Sequence, residues 1–185
     1  MSHNHHIKQT LASDVEYHAK LAVQKCYQCG KCTAGCPVSY EMDYPPSMTL
    51  RLLQTSDPAN EEKVLRSHSI WLCVTCEMCL SRCPMEIDIP SMMDYLRQRS
   101  LKEKKANPKA KNIIAFHKSF LNSIKFTGRL YEIGLVINYK LKSLNLMQDV
   151  LLAPKMLTRG KLPIFPEVIK GVPQIKRIFK RTSKH

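Results

Sequence analysis

The residues of this 185-residue chain best suited to chemistry are its eight cysteines, and all eight lie in two copies of one run. The first copy is Cys26-Tyr27-Gln28-Cys29-Gly30-Lys31-Cys32-Thr33-Ala34-Gly35-Cys36-Pro37, and the second is Cys73-Val74-Thr75-Cys76-Glu77-Met78-Cys79-Leu80-Ser81-Arg82-Cys83-Pro84. Both read C-x-x-C-x-x-C-x-x-x-C-P, a run that holds cubane 4Fe–4S clusters. Thiolates at i, i+3 and i+6 let a short turning segment wrap one corner of a cube, while the fourth lies beyond a stiff Cys-Pro step. In this arrangement the fourth cysteine serves the other cluster. The spacing therefore assigns Cys26, Cys29, Cys32 and Cys83 to cluster 1, and Cys73, Cys76, Cys79 and Cys36 to cluster 2. Neither motif closes its cluster alone, so metal binding staples two halves of a domain together and counts as folding free energy. Without iron this region is expected to be largely unfolded.

Zinc and disulfides are the competing uses of such cysteines. Zinc ribbons take two thiols from each paired C-x-x-C, and a third and fourth cysteine followed by proline in each copy has no role there. Disulfides suit secreted chains, but the N-terminus carries no leader with an apolar core and small-residue cleavage site. A reducing, cytoplasmic setting is the expectation. No G-x-G-x-x-G loop, P-loop or nucleophile elbow occurs, and no cysteine is left over for thiol–disulfide exchange. No catalytic residue is expected. Two cubanes in one small domain form a wire, each able to take and pass one electron. Lys31 and Arg82, inside the motifs, are positioned to favour the more negative reduced state or simply to face solvent.

Charge divides the chain. The net charge is +14, but residues 1–100 contribute −1 and residues 101–185 contribute +15 by count of Lys, Arg, Asp and Glu. Each cluster with a 2+ core and four thiolates adds further negative charge to the first half. The basic second half could meet nucleic acid, a membrane surface or an acidic protein face. It lacks a compact basic block with interleaved aromatics, which favours a protein partner and argues against nucleic acid. No apolar run approaches the length of a membrane span of about 18 residues.

The elements around the motifs read as helices. Period-2 alternation is scarce between residues 38 and 72, which argues against a β-rich fold and for an all-α one. Residues 1–20 form an N-terminal segment: His3, His5 and His6 suit a frayed end more than a metal site, and Ser13-Asp14-Val15-Glu16 resembles a capping box opening a short helix towards Cys26. Pro45-Pro46-Ser47 precedes a helix over Met48–Leu53, and Asp57-Pro58 caps another with Glu61 and Glu62 near its positive end. Trp71 is expected in the core. After a short extended piece, Met85–Pro90, a helix is expected from Ser91 with Met92 and Met93 in the core; Asn107-Pro108 ends it. The cluster domain is thus placed at 21–106. Amphipathic helices are expected over 107–150: Ile113, Phe116, His117, Phe120, Leu121 and Ile124 share one stripe, with Lys111, Lys118, Ser119 and Asn122 opposite. A second stretch past Gly128 carries Leu130, Ile133, Leu135, Val136 and Ile137. Residues 151–185, with Pro154, Pro163, Pro166 and Pro173 among basic and apolar residues, are expected to form no long helix and to lie as an arm over a partner.

Beyond the motifs, Ser69-Ile70-Trp71-Leu72, Met85-Glu86-Ile87-Asp88-Ile89-Pro90 and the segment from Phe116 through Thr127-Gly128-Arg129-Leu130-Tyr131-Glu132-Ile133-Gly134-Leu135 resemble the iron–sulfur C subunit of the CoB–CoM heterodisulfide reductase of methanogenic archaea. The resemblance implies an α-helical ferredoxin domain that carries electrons from a flavin- and Fe–S-bearing A subunit to a cysteine-rich catalytic B subunit, where the CoM-S-S-CoB heterodisulfide is reduced in methanogenesis. It further implies a soluble complex, with a hydrogenase or formate dehydrogenase as upstream donor. The cysteine motifs alone are less specific. Iron–sulfur relay subunits of succinate, glycerol-3-phosphate and glycolate dehydrogenase complexes share similar paired runs, and the flanks decide between them.

Overall fold

The computed structural model describes residues 10–143 and 165–182. His3, His5 and His6 and the first part of the proline-spaced arm, up to Ile164, lie outside the described residues. The chain divides into two units, residues 1–110 and 111–185. Among the described residues both are built of helices and connecting turns, with no strand.

Among its described residues the first unit holds seven α-helices: α1 (Leu11–Ala19), α2 (Lys31–Ala34), α3 (Pro46–Gln54), α4 (Pro58–Leu65), α5 (Ser69–Leu72), α6 (Met78–Ser81) and α7 (Ile89–Lys102). Local chemistry sets most of the starts. Pro46 and Pro58 open α3 and α4, where a missing N–H costs nothing, and Asp57 accepts a hydrogen bond from Ala59 N at 3.2 Å. Two starts fall earlier than the sequence suggested. The capping box of α1 is Thr10 with Ser13, one turn ahead of Ser13 with Glu16, because Thr10 Oγ1 reaches Ser13 N while Ser13 Oγ accepts from Thr10 N. Helix α7 begins at Ile89, since Asp88 accepts from Ser91 N at 3.0 Å and puts Pro90 in the first turn.

Helix α7 is the spine of this unit and packs against α1, α4, α5 and α6. Its apolar stripe, Ile89, Met92, Met93 and Leu96, is fully buried with Leu50 and Leu53 of α3, Val64 of α4 and Ile70 of α5. Each such side chain contributes about 1.5–3 kcal/mol on burial. Trp71 and both methionines are core residues as expected. The motif helices α2 and α6 contact each other, and α2 also rests on α3. The layout carries each motif on a long core helix: the first against α3, the second against α7.

The second unit contains α8 (Lys111–Thr127), α9 (Glu132–Ser143) and α10 (Val172–Thr182), with α9 and α10 both packed on α8. The expected stripe on α8 is corrected here. Ala115, Ser119 and Thr127 are the buried residues of the helix, whereas Phe116, His117 and Leu121 are exposed. Small side chains let neighbouring helices approach α8 closely, and Ser119, assigned to the polar face from its residue type, is wholly covered. Gly128 ends α8 at φ +81°, and a Cβ there would stand 2.2 Å from the Ile169 side chain. Both the left-handed turn and the close approach demand glycine. The described end of the arm also differs from expectation: residues 172–182 form an eleven-residue helix. Pro173 falls in its first turn, where proline is tolerated, and no proline interrupts the residues after it.

Candidate metal centre

The two cysteine runs adopt matching backbones. Gln28 and Thr75 occupy equivalent positions at φ 62° and 55°, and Gly30 and Glu77 at 76° and 61°. Left-handed residues alternating with ordinary ones turn successive N–H groups into one concavity, the nest geometry that binds anions and occurs at Fe–S sites. A β-branched residue such as Thr75 and a non-glycine such as Glu77 adopt this region at a cost of about 1–3 kcal/mol each. Strain repeated at the same steps of both motifs marks a conformation required by what the loops hold.

The thiols of the two motifs are brought together crosswise. Cys36 of the first motif lines a small pocket together with Cys73, Cys76 and Cys79 of the second. Its remaining walls include Val38, Met42, Pro46, Ile89 and Met93, so the space between the sulfurs is apolar. On the other side, the Tyr27 phenol lies among Cys29, Cys83 and Cys26: its pKa is raised first by desolvation and then by those three neighbours. Arg82, beside Cys83, lies across Gly35, beside Cys36, so closely that a Cβ on Gly35 would meet its Cδ at 2.5 Å. Among the described residues no three His, Cys, Asp or Glu side chains converge as they would on a single metal ion. The four thiolates of a cubane bind four different irons and stand further apart.

Burial governs the thiols. Cys32 and Cys79 are buried, while Cys29 and Cys76 are exposed. Desolvation pushes up the pKa of Cys32 and Cys73, and that of Cys79 to about 11. These groups are neutral thiols at pH 7 in the absence of metal, and a bound metal ion must displace their protons.

Three supporting residues hold the motifs in place. The Gln54 amide, on α3, donates to Val23 O at 3.1 Å and Cys26 O at 2.7 Å, and its oxygen accepts from Gln28 Nε2, which also reaches Cys26 Sγ at 3.4 Å. Arg97, on α7, does the equivalent work for the second motif by donating to Ile70 O and Cys73 O. Asp43 caps α5, the helix that delivers the chain to Cys73: it accepts from His68 N and Ser69 N at 2.9 Å each and from Ser69 Oγ at 2.5 Å. Sequence reading picked out none of the three, although two carried a signal. Gln54 follows Leu50 by four residues and Arg97 follows Met93 by four, which puts a polar group on each buried stripe and calls for a buried partner. Lys31 and Arg82 are both exposed.

A family described as a 4Fe-4S dicluster domain matches residues 22–87. The matched residues lie wholly within the first unit and take in both cysteine runs. The chain is similar to the iron–sulfur C subunit of CoB–CoM heterodisulfide reductase from Methanopyrus kandleri, 35% identical over 83 residues, which is 45% of this chain and 42% of that one. It is likewise similar to the iron–sulfur C 2 subunit of the reductase from Methanocaldococcus jannaschii, 38% identical over 41% of this chain and 39% of the other. A third relative, the C subunit of the ferredoxin:CoB-CoM heterodisulfide reductase of Methanosarcina acetivorans, is 31% identical over 52% of this chain and 38% of its own length. The matched region thus spans about two fifths of the length of these relatives. The matched residues include both left-handed turns, at Gln28 and Gly30 and at Thr75 and Glu77.

Proposed function

We propose that the dicluster domain holds two 4Fe–4S clusters, one on Cys26, Cys29, Cys32 and Cys83 and the other on Cys73, Cys76, Cys79 and Cys36. We further propose that the chain is the electron-relay subunit of a cytoplasmic CoB–CoM heterodisulfide reductase complex, with no catalytic residue of its own. The observation that carries this reading is the apolar cavity that unites Cys36 with the three leading cysteines of the other motif. The names of the relatives supply the reaction.

A bound cubane supplies reversible one-electron storage. The chain's own residues do the rest. Buried Cys32 and Cys79 hold the inner sides of the two sites, and the walls of Met42, Ile89 and Met93 keep water from the second. Exposed Cys29 and Cys76 leave one edge of each site at the surface, where a partner's redox centre can approach. Two edges give a relay an entry and an exit. The partners are a flavin- and Fe–S-bearing A subunit, the donor, and a cysteine-rich B subunit that reduces CoM-S-S-CoB. The relatives' names cite ferredoxin, hydrogen and formate as electron sources, which fits a hydrogenase or formate dehydrogenase upstream. Among the described residues no helix is long and apolar enough to cross a membrane.

The test is an anaerobic native purification from the source cells with partners identified by mass spectrometry. Recovery with a flavoprotein and a cysteine-rich protein, and heterodisulfide reduction by that assembly, are the expected results. Recovery with a dehydrogenase flavoprotein of another class, or of the iron-loaded chain alone, would overturn the assignment.

A further inference from the structure

The two motifs are supported alike in geometry and differently in charge. At the first, the group that ties the leading cysteine's carbonyl to a core helix is the neutral amide of Gln54. At the second it is the guanidinium of Arg97, which donates to Cys73 O and, one turn back, to Ile70 O. The Arg97 side chain is only 13% exposed, while its ion-pair partner Asp94, 2.8 Å away, is 52% exposed. Water therefore screens the carboxylate more than the guanidinium, and a net positive field remains on the inner side. The other cations of the motifs, Lys31 and Arg82, are exposed and well solvated.

We infer that Arg97 sets the reduction potential of the cluster bound by Cys73, Cys76 and Cys79, raising it by a fixed, largely buried charge that the other cluster lacks. The inference rests on the two-cluster reading given above, but not on which fourth cysteine completes each site. Reduction adds one electron to a 2+ core, taking the cluster with its four thiolates from 2− to 3−, and no proton or bond changes hands. A nearby buried cation stabilises the more negative state and moves the potential upward. The first motif carries another lever, the 3.4 Å N–H···S contact of Gln28 Nε2 with Cys26 Sγ. Arg97 is a positioning residue as well, because it fixes the Cys73 carbonyl. Its two roles separate on substitution.

The test is an anaerobic redox titration of the full chain followed by EPR, with iron content measured on every sample. Arg97→Gln keeps a donor and removes the charge. It is expected to lower the potential of one cluster by about tenfold in its reduction equilibrium, about 59 mV for a one-electron couple, and to leave the other in place. Arg97→Lys restores the charge and is expected to recover most of that shift. Asp94→Asn, at an exposed site that does not endanger folding, is expected to raise the same cluster's potential by about twofold to fivefold in the equilibrium. Unchanged potentials in Arg97→Gln with full iron, equal movement of both clusters, or no response to Asp94→Asn would overturn the inference. Wild-type protein with fewer than two clusters' iron would instead sink the reading on which it rests.

Discussion

Replacing Asp43 by alanine removes a residue that touches no cysteine, yet it should destabilise the approach to the second motif. The carboxylate accepts hydrogen bonds from His68 N, Ser69 N, Ser69 Oγ and Tyr44 N. Ser69 is fully buried, and its hydroxyl also accepts from Tyr44 N at 2.8 Å. Loss of a helix cap costs about 0.5–2 kcal/mol, and a buried hydroxyl left without its acceptor about 1–3 kcal/mol. The two effects overlap, and the exposed position of Asp43 lets water replace part of what is lost, so about 2–3 kcal/mol is expected. For a unit of about 100 residues that lowers Tm by roughly 8–24 °C. The assay is far-UV CD of iron-loaded protein, heated anaerobically at one fixed rate. Asp43→Asn keeps one acceptor and should fall between wild type and Asp43→Ala. The pH dependence follows from the carboxyl: burial would raise its pKa, but the hydrogen bonds from Ser69, His68 and Tyr44 together hold it below the ordinary 3.8. A depressed carboxyl contributes stability that is present above the unfolded value and is lost as pH falls through the folded one. The gap between wild type and Asp43→Asn should therefore be constant from pH 5 to 7 and close below about pH 4. A Tm within about 3 °C of wild type for Asp43→Ala at pH 7 would refute the reasoning.

Three further outcomes are expected. Cys83→Ala should damage the cluster held by Cys26, Cys29 and Cys32 and leave the other comparatively intact; EPR showing selective loss of the Cys73, Cys76 and Cys79 cluster would reverse the crossed pairing. Glu77→Gly should stabilise the iron-loaded chain by about 0.5–1 kcal/mol, because it relieves a left-handed residue at φ 61° where the first motif already has Gly30 at the expense of added unfolded-state entropy; a lower thermal midpoint would contradict it. Iron loading of the metal-free chain at pH 7 should release protons and tighten as pH rises towards 9, since burial holds Cys32, Cys73 and Cys79 as neutral thiols, Cys79 with a pKa of about 11. Loading without proton release in a weakly buffered titration would show that the thiols are already ionised.

The cluster half was legible because its signals are local. Paired C-x-x-C-x-x-C-x-x-x-C-P runs, Asp57-Pro58 ahead of α4 and Met92 and Met93 in one stripe each depend on residues a few positions apart, and each appears in the structure. The supports were harder to read because they act at a distance: Asp43 caps a helix 25 residues later, and Arg97 reaches back 24 residues to Cys73. No spacing rule marks such pairs. The start of α1 was misplaced because Ser13 suits two roles, and the reciprocal bond with Thr10 decides between them. On α8 the large apolar residues suggested one buried face, whereas close helix packing selected the small residues Ala115, Ser119 and Thr127. At 172–182, proline count was a poorer guide than proline position: Pro173 sits in the one turn of a helix that tolerates it.

The most direct test of the central claim is the iron and acid-labile sulfide content of the anaerobically purified chain, read beside its EPR spectrum after reduction. Two cubanes require about eight irons and eight sulfides per chain, with two reducible S = 1/2 centres. A chain carrying zinc, or four irons and a single centre, would contradict a relay built from both motifs.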